Sequence, residues 1–225
     1  MLRRLAPPLT VLLAVALSGC GSDDAKQSGD AGDAVTTAST TTTAGCRKVA
    51  APSPKRVQRL SKPTTRLSAP TTVTLTTNCG RITIRLAVAR APKTTSSFAS
   101  LARRGFYDNL TFHRVVPGFV VQGGDPLGTG LGGSGYKVVE RPPASTVYTR
   151  RVVAMAKAAN EAAGTSGSQF FIVTAENAEL PADYALVGRV VGSYSAVAKI
   201  EATPTAAGDR PTEPLVIERA TVTSG

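Results

Sequence analysis

From residue 71 onward the chain is written in short runs that alternate apolar and polar residues, and only two stretches break that rhythm. Val73 and Leu75 alternate with threonines, Asn78-Cys79-Gly80 makes a turn, and Ile82, Ile84 and Leu86 alternate again. Successive strand side chains point to opposite faces, so this pattern buries one face and predicts a β-hairpin. Further strands are expected at 110–116, 119–122, 152–156, 169–174, 185–191 and 214–222. The two exceptions read as helices. Over 92–105, Phe98, Leu101 and Ala102 share one face, Pro92 sits near the start and Gly105 suits the C-terminal cap. Ser193 suits the N-cap of a second helix running to Glu201, with Val197 and Ile200 inward. Many short strands and two helices predict a mainly β fold, a closed barrel or a sandwich, built as one domain over residues 71–225.

The N-terminus reads as an address. Arg3 and Arg4 precede an apolar stretch over 5–17, interrupted by Pro7, Pro8 and Thr10. That stretch is too short for a bilayer, which needs roughly 20 apolar residues. It ends in Leu17-Ser18-Gly19-Cys20, similar to a bacterial lipobox. Residues 1–19 are therefore expected to be a lipoprotein signal peptide, with Cys20 acylated (palmitate being a typical chain) and anchored to the bacterial cell membrane. The other reading is a cleaved secretory signal beside an unrelated cysteine. Both place the mature chain outside the cytoplasm.

Residues 20–70 are expected to be a disordered linker. Residues 21–45 are rich in Ser, Thr, Ala, Gly and Asp and show no apolar period that could offset the entropy of ordering. Over 47–70 come Arg47, Lys48, Lys55, Arg56, Arg59, Lys62 and Arg66, without an acid, among prolines at 52, 54, 63 and 70. This stretch reads as solvated, or alternatively as lying against anionic lipid head groups. Over the whole chain 26 Lys and Arg face 15 Asp and Glu, a formal charge of +11. No nucleic-acid motif accompanies that charge, so no nucleic-acid partner is expected. The cysteines are Cys20, Cys46 and Cys79, and the single histidine is His113. A zinc site built from them is not expected. In an oxidising compartment Cys46 and Cys79 would pair, pinning the linker to the first hairpin, or would stay as two free thiols.

Three chemical motifs fail on context. Gly128-Thr129-Gly130-Leu131-Gly132-Gly133 satisfies GxGxxG, but Gly135, Tyr136, Val138 and Val139 follow where a dinucleotide fold needs a helix. Neither Ser134 nor Ser166 sits in a GxSxG elbow. No Lys-Ser or Lys-Thr completes a phosphate loop. The glycine run is better read as a tight loop that needs positive φ.

Residues 112–125 read Phe-His-Arg-Val-Val-Pro-Gly-Phe-Val-Val-Gln-Gly-Gly-Asp. They resemble the FHR…PGF…QGGD signature of cyclophilins. Met155-Ala156 followed by Gly167-Ser168-Gln169-Phe170-Phe171-Ile172, and Leu180 with Tyr184 before Val187-Gly188-Arg189-Val190, resemble further blocks of that family in order and spacing. The resemblance implies a closed eight-stranded antiparallel barrel capped by two helices. It implies a monomeric peptidyl-prolyl cis-trans isomerase that needs no cofactor or metal and acts on proline-containing, folding polypeptides, which the N-terminal signal would place among exported or envelope proteins.

An X–Pro bond faces a barrier of about 18–20 kcal/mol from amide resonance. Unaided it turns in roughly tens to hundreds of seconds. Reaching about milliseconds requires some 5–7 kcal/mol. No bond breaks. The task is to hold the proline and favour the twisted amide, whose nitrogen gains a lone pair that a cationic donor stabilises.

By resemblance Arg114 is that donor, with Phe119 and Gln122 completing the catalytic set. Phe119, Phe171 and Leu180 would form the proline pocket, with Val120 on its wall. Gln122 would bond the substrate backbone and Gln169 would support the arginine or the bound peptide. Ala156 and Lys157 would meet the substrate main chain, and Gly130 would flank the neighbouring pocket. His113 would be a packed histidine beside the substrate site, and Tyr184 an aromatic wall. The departures are Lys157 for a frequent Asn, Glu179 for a frequent Trp, Tyr184 for His and Val120 for Met. They imply weakened activity and poor cyclosporin binding. The rival reading is a non-catalytic chaperone or scaffold that grips proline segments.

Overall fold

The computed structural model describes residues 45–56 and 59–225. The lipobox, Cys20 and residues 21–44 lie outside them. Eight strands close into a barrel: β1 Thr71–Thr77, β2 Gly80–Leu86, β3 Leu110–Val116, β4 Val120–Asp125, β5 Val152–Met155, β6 Phe170–Val173, β7 Leu186–Val191 and β8 Val216–Ser224. Their order around the barrel is β1-β8-β3-β4-β6-β5-β7-β2, every pair antiparallel. Closure leaves no free edge.

The alternation read from the sequence faces where it predicts. Val73, Leu75, Ile82 and Ile84 are fully buried inside the barrel. Helix α1, Pro92–Arg103, and helix α2, Ser195–Glu201, add Phe98, Leu101, Ala102, Val197 and Ile200 to the same core. Rings of Phe98, Tyr107, Phe112 and Phe170 meet there, mostly edge to face. Helix α1 has no side-chain cap of its own. The Glu140 carboxylate accepts from the Lys93 and Thr94 N–H groups instead, at 3.0 and 2.7 Å. That anion satisfies two orphan donors at the positive end of the helix. Arg104 is the C-cap, and Gly105, at φ +66°, makes the left-handed exit. In α2 the N-cap is Tyr194 rather than Ser193. The Ser193 hydroxyl still accepts from the Ser195 N–H at 3.3 Å.

The expectation of a solvated linker over 47–70 is corrected by the described residues. Cys46 is bonded to Cys79. Beyond it the chain runs as a strap over the barrel. Arg47 N–H donates to Asn78 O at 2.8 Å, Lys55 N–H to Pro126 O at 2.8 Å and Leu60 N–H to Ser134 O at 3.1 Å. Leu67 N–H donates to Ser96 Oγ at 2.8 Å. Leu60 and Leu67 pack on the core. Some of the basic side chains find partners too. Arg47 pairs with Glu218, and Lys55 Nζ donates to the Gly105 and Phe106 carbonyls at the end of α1. Composition suggested solvation because these partners lie far along the chain.

Candidate active site

Strand register sets the site. Arg114 faces Gln122, Gln122 faces Phe171, and Phe171 faces Ala154, so these residues form one row across four strands. The row lies on the outer face. The neighbouring row, Val115–Val121–Ile172–Val153, points inward and is fully buried. A bulge between Phe112 and Arg114 leaves His113 without a partner across the ladder. Both Phe112 and His113 are buried as a result. Bulges of this kind re-aim side chains.

One end of the outer face is apolar. Val120 and Phe171 are buried there, and Phe119, Leu180, Tyr184 and Ala156 pack half-exposed around them. Tyr148, which carried no sequence signal, anchors the patch from below. Its hydroxyl donates to the Tyr184 carbonyl at 2.6 Å and accepts from the Tyr184 N–H at 3.0 Å. Burial pushes this phenol up to about 12, so it stays a neutral donor. The Phe171 and Tyr184 rings meet edge to face at 5.4 Å. Lys157 places its ammonium 5.7 Å from the Tyr184 ring centre.

The other end is a polar cleft of about 740 Å³ lined by Gln122, Gly130, Ala156, Lys157, Gln169 and the glycine-rich loop. Gln122 Nε2 donates to Gln169 Oε1 at 3.0 Å. Gln169 Nε2 donates to the Gly130 and Gly132 carbonyls at 2.8 and 2.9 Å. From the sequence Gln169 is expected to support the arginine or the bound peptide. In the structure its amide is held by the loop and by Gln122.

The loop is organised by Asp125, the last residue of the QGGD run, whose role the motif alone did not reveal. Its carboxylate is buried and accepts from the N–H groups of Leu127, Thr129 and Gly130. Burial alone would raise its pKa, but these donors hold it below the usual carboxylate value. Gly128 and Gly130 take positive φ, as expected of the run. Gly132 is needed for a different reason, since a Cβ there would come within 2.1 Å of Asp125 Oδ1.

Arg114 is half-exposed on β3. Its Nε donates to Asp209 Oδ2 at 3.1 Å, and Nη2 lies at ion-pair distance, 3.1 Å, from the same oxygen. Nothing in the sequence pointed to Asp209, which lies 95 residues further on. His113 is 9 % exposed, and neither ring nitrogen has a hydrogen-bond partner among the described residues. Burial lowers its pKa against the pull of Asp125, with Arg210 and Arg114 lowering it further. It is a packed histidine, neutral at pH 7. Glu179, where many cyclophilin-like sequences have Trp, is exposed at φ +51° and adds no wall to the apolar patch.

The family model described as "Cyclophilin type peptidyl-prolyl cis-trans isomerase/CLD" matches residues 72–222. The chain belongs to the cyclophilins. Among curated proteins, the peptidyl-prolyl cis-trans isomerase A of Mycobacterium tuberculosis is 40 % identical over 172 residues, covering 68 % of this chain and 93 % of the relative. A peptidyl-prolyl cis-trans isomerase-like 2 of Cryptococcus neoformans is 38 % identical over 172 residues, and the match spans only 30 % of that longer protein. The crystal structure of a Cryptosporidium parvum cyclophilin-type isomerase, determined in the presence of the dipeptide Ala-Pro, aligns with a TM-score of 0.64 at 30 % identity. It covers 68 % of this chain and 99 % of that one. The cyclophilin barrel thus places Arg114, Gln122 and Phe171 in one row. Phe119, Val120, Leu180 and Tyr184 lie on the apolar side, and Gly130, Ala156, Lys157 and Gln169 on the polar side.

Proposed function

We propose that this cyclophilin accelerates X–Pro rotation in exported polypeptides while tethered to the outer face of the cell membrane through an acylated Cys20. The observation that carries the catalytic reading is the outer row, in which a cation, an amide and an aromatic ring stand side by side on adjacent strands. The apolar patch takes the proline ring, Gln122 takes a substrate backbone group, and the Arg114 guanidinium meets the prolyl nitrogen as the amide twists. A charge-assisted hydrogen bond made only in that state is worth roughly 1.5–3 kcal/mol of barrier. Desolvation and positioning supply the rest. The exported setting is supported by the Leu17-Ser18-Gly19-Cys20 run and by the Cys46–Cys79 bond, since disulfides persist in oxidising compartments. The protein is taken to act as a monomer.

The test compares the full chain with its Arg114→Ala variant on an unstructured X–Pro peptide. Acceleration by the first and a loss of one to two decades in the second supports the reading, the loss matching one charged hydrogen bond. Peptide binding without acceleration by either favours the non-catalytic proline-segment chaperone. For the tether, intact mass of the protein extracted from bacterial membranes should show acyl chains on a mature N-terminus at Cys20. A water-soluble product without added mass would refute it.

A further inference from the structure

We propose that Asp209 is a positioning residue for the isomerisation, holding the Arg114 guanidinium at the angle from which it meets the prolyl nitrogen. The inference rests on the assignment of Arg114 above. Nε donates to one carboxylate oxygen, and Nη2 stands at ion-pair distance from that same atom, 3.1 Å in each case. The guanidinium is planar and rigid, so fixing that edge fixes the whole plane. Nη1 has no hydrogen-bond partner among the described residues, which leaves the opposite edge for a substrate.

The pair does little for folding. Its side chains are 38 % and 44 % exposed, and pairs this exposed contribute little to stability. Yet the backbone goes out of its way to present the carboxylate. Gly208 and Asp209 both take left-handed conformations, at φ +73° and +60°. A positive φ is uncommon outside glycine, Asp adopting it more readily than most, and it is kept where the surroundings hold it. Here they do. Thr205 pairs with Pro211 and Ala206 with Arg210, closing a short hairpin. The Thr212 N–H and hydroxyl both donate to the Pro204 carbonyl, at 2.9 and 3.0 Å. Arg210 Nη2 donates to the Gly128 carbonyl at 2.7 Å, fastening the hairpin to the glycine-rich loop. Asp209 therefore sits on a brace between that loop and β3. A carboxylate beside the cation also offsets part of its charge. Orientation outweighs that loss because the free edge keeps its donors.

The test uses the full chain and three substitutions. Asp209→Gly suits the positive φ and removes the acceptor. Asp209→Asn tolerates the same backbone and keeps an oxygen that can accept. Asp209→Ser, too short to reach the guanidinium, replaces the glycine variant should that one not fold. Exchange rate and peptide affinity are read separately by NMR. Asp209→Gly should slow catalysis about tenfold, short of the roughly hundredfold that a full ångström of misplacement can cost, at unchanged peptide affinity. Asp209→Asn should stay within about threefold of the wild type, the acceptor being retained. In an Arg114→Ala background Asp209→Gly should change nothing further. A wild-type or faster rate in Asp209→Gly overturns the proposal, as does the same fold loss in both backgrounds. Arg114→Ala at full rate overturns the Arg114 assignment itself, a separate outcome read from the single variant.

Discussion

Phe170 and Phe171 are neighbours in sequence and opposites in use. Phe170 points into the barrel, fully buried against Phe98, Tyr107 and Phe112. Phe171 points out, against Tyr148 and Tyr184, at the head of a patch whose remaining walls are half-exposed. One strand thus serves two cores. The inner one is closed on all sides and serves stability. The outer one is left with a side unfilled, and that unfilled side is the place proposed above for the proline ring. A strand alternates faces every residue, so a single register holds both jobs in place.

Substitutions separate the two. Phe170→Ala should cost about 3–5 kcal/mol of unfolding free energy, measured by denaturant titration, because it opens a cavity in a packed interior. Any protein still folded should turn over peptide normally. Phe171→Ala should cost less in stability, about 2–3 kcal/mol, and should weaken peptide binding at least tenfold by calorimetry, since the lost ring is partly the ligand's to bury. Equal effects of the two on binding would dissolve the distinction between the faces. Gln122→Ala, one strand away in the row, should slow catalysis several-fold through about 1 kcal/mol of lost hydrogen bonding, with the unfolding midpoint barely moved.

The smallest effect is one of pH. Burial lowers the His113 pKa from 6.5. Below that value the unfolded chain binds more protons than the folded one, so stability should fall as pH drops through 6.5 and level off below the lowered native value. The NMR titration of this one imidazole should have its midpoint under 6.5, and a midpoint at or above it would contradict the packing described.

The barrel was legible because its evidence is periodic. The alternation in Val73–Leu75 and Ile82–Leu86, the helix face at Phe98–Leu101 and the glycine at position 105 all act locally, and the structure places them as read. The apolar patch was legible only through the likeness of whole blocks, since Phe119 and Phe171 look like core residues to any pattern. What stayed hidden is what depends on distant partners. Asp209 reaches Arg114 across 95 residues, Glu140 caps a helix 46 residues before it, and Tyr148 holds Tyr184 from 36 residues away. No local rule relates such positions. The strap was missed for the same reason. Its prolines and lysines have the composition of a linker, while the carbonyls and apolar hollows that receive it belong to other elements.

The Cys46–Cys79 bond also sets a path for mechanical load. A pull applied ahead of Cys46 passes through the sulfurs to Cys79, at the tip of the turn between β1 and β2, and so enters the barrel wall directly. The strap residues between the two cysteines form a slack branch that carries none of it. The contacts of Lys55, Leu60 and Leu67, and with Leu60 the edge of the glycine-rich loop, are thereby shielded from whatever tugs on the N-terminal end of the chain. Reducing that one bond would reroute the force through the strap and peel it from the barrel first.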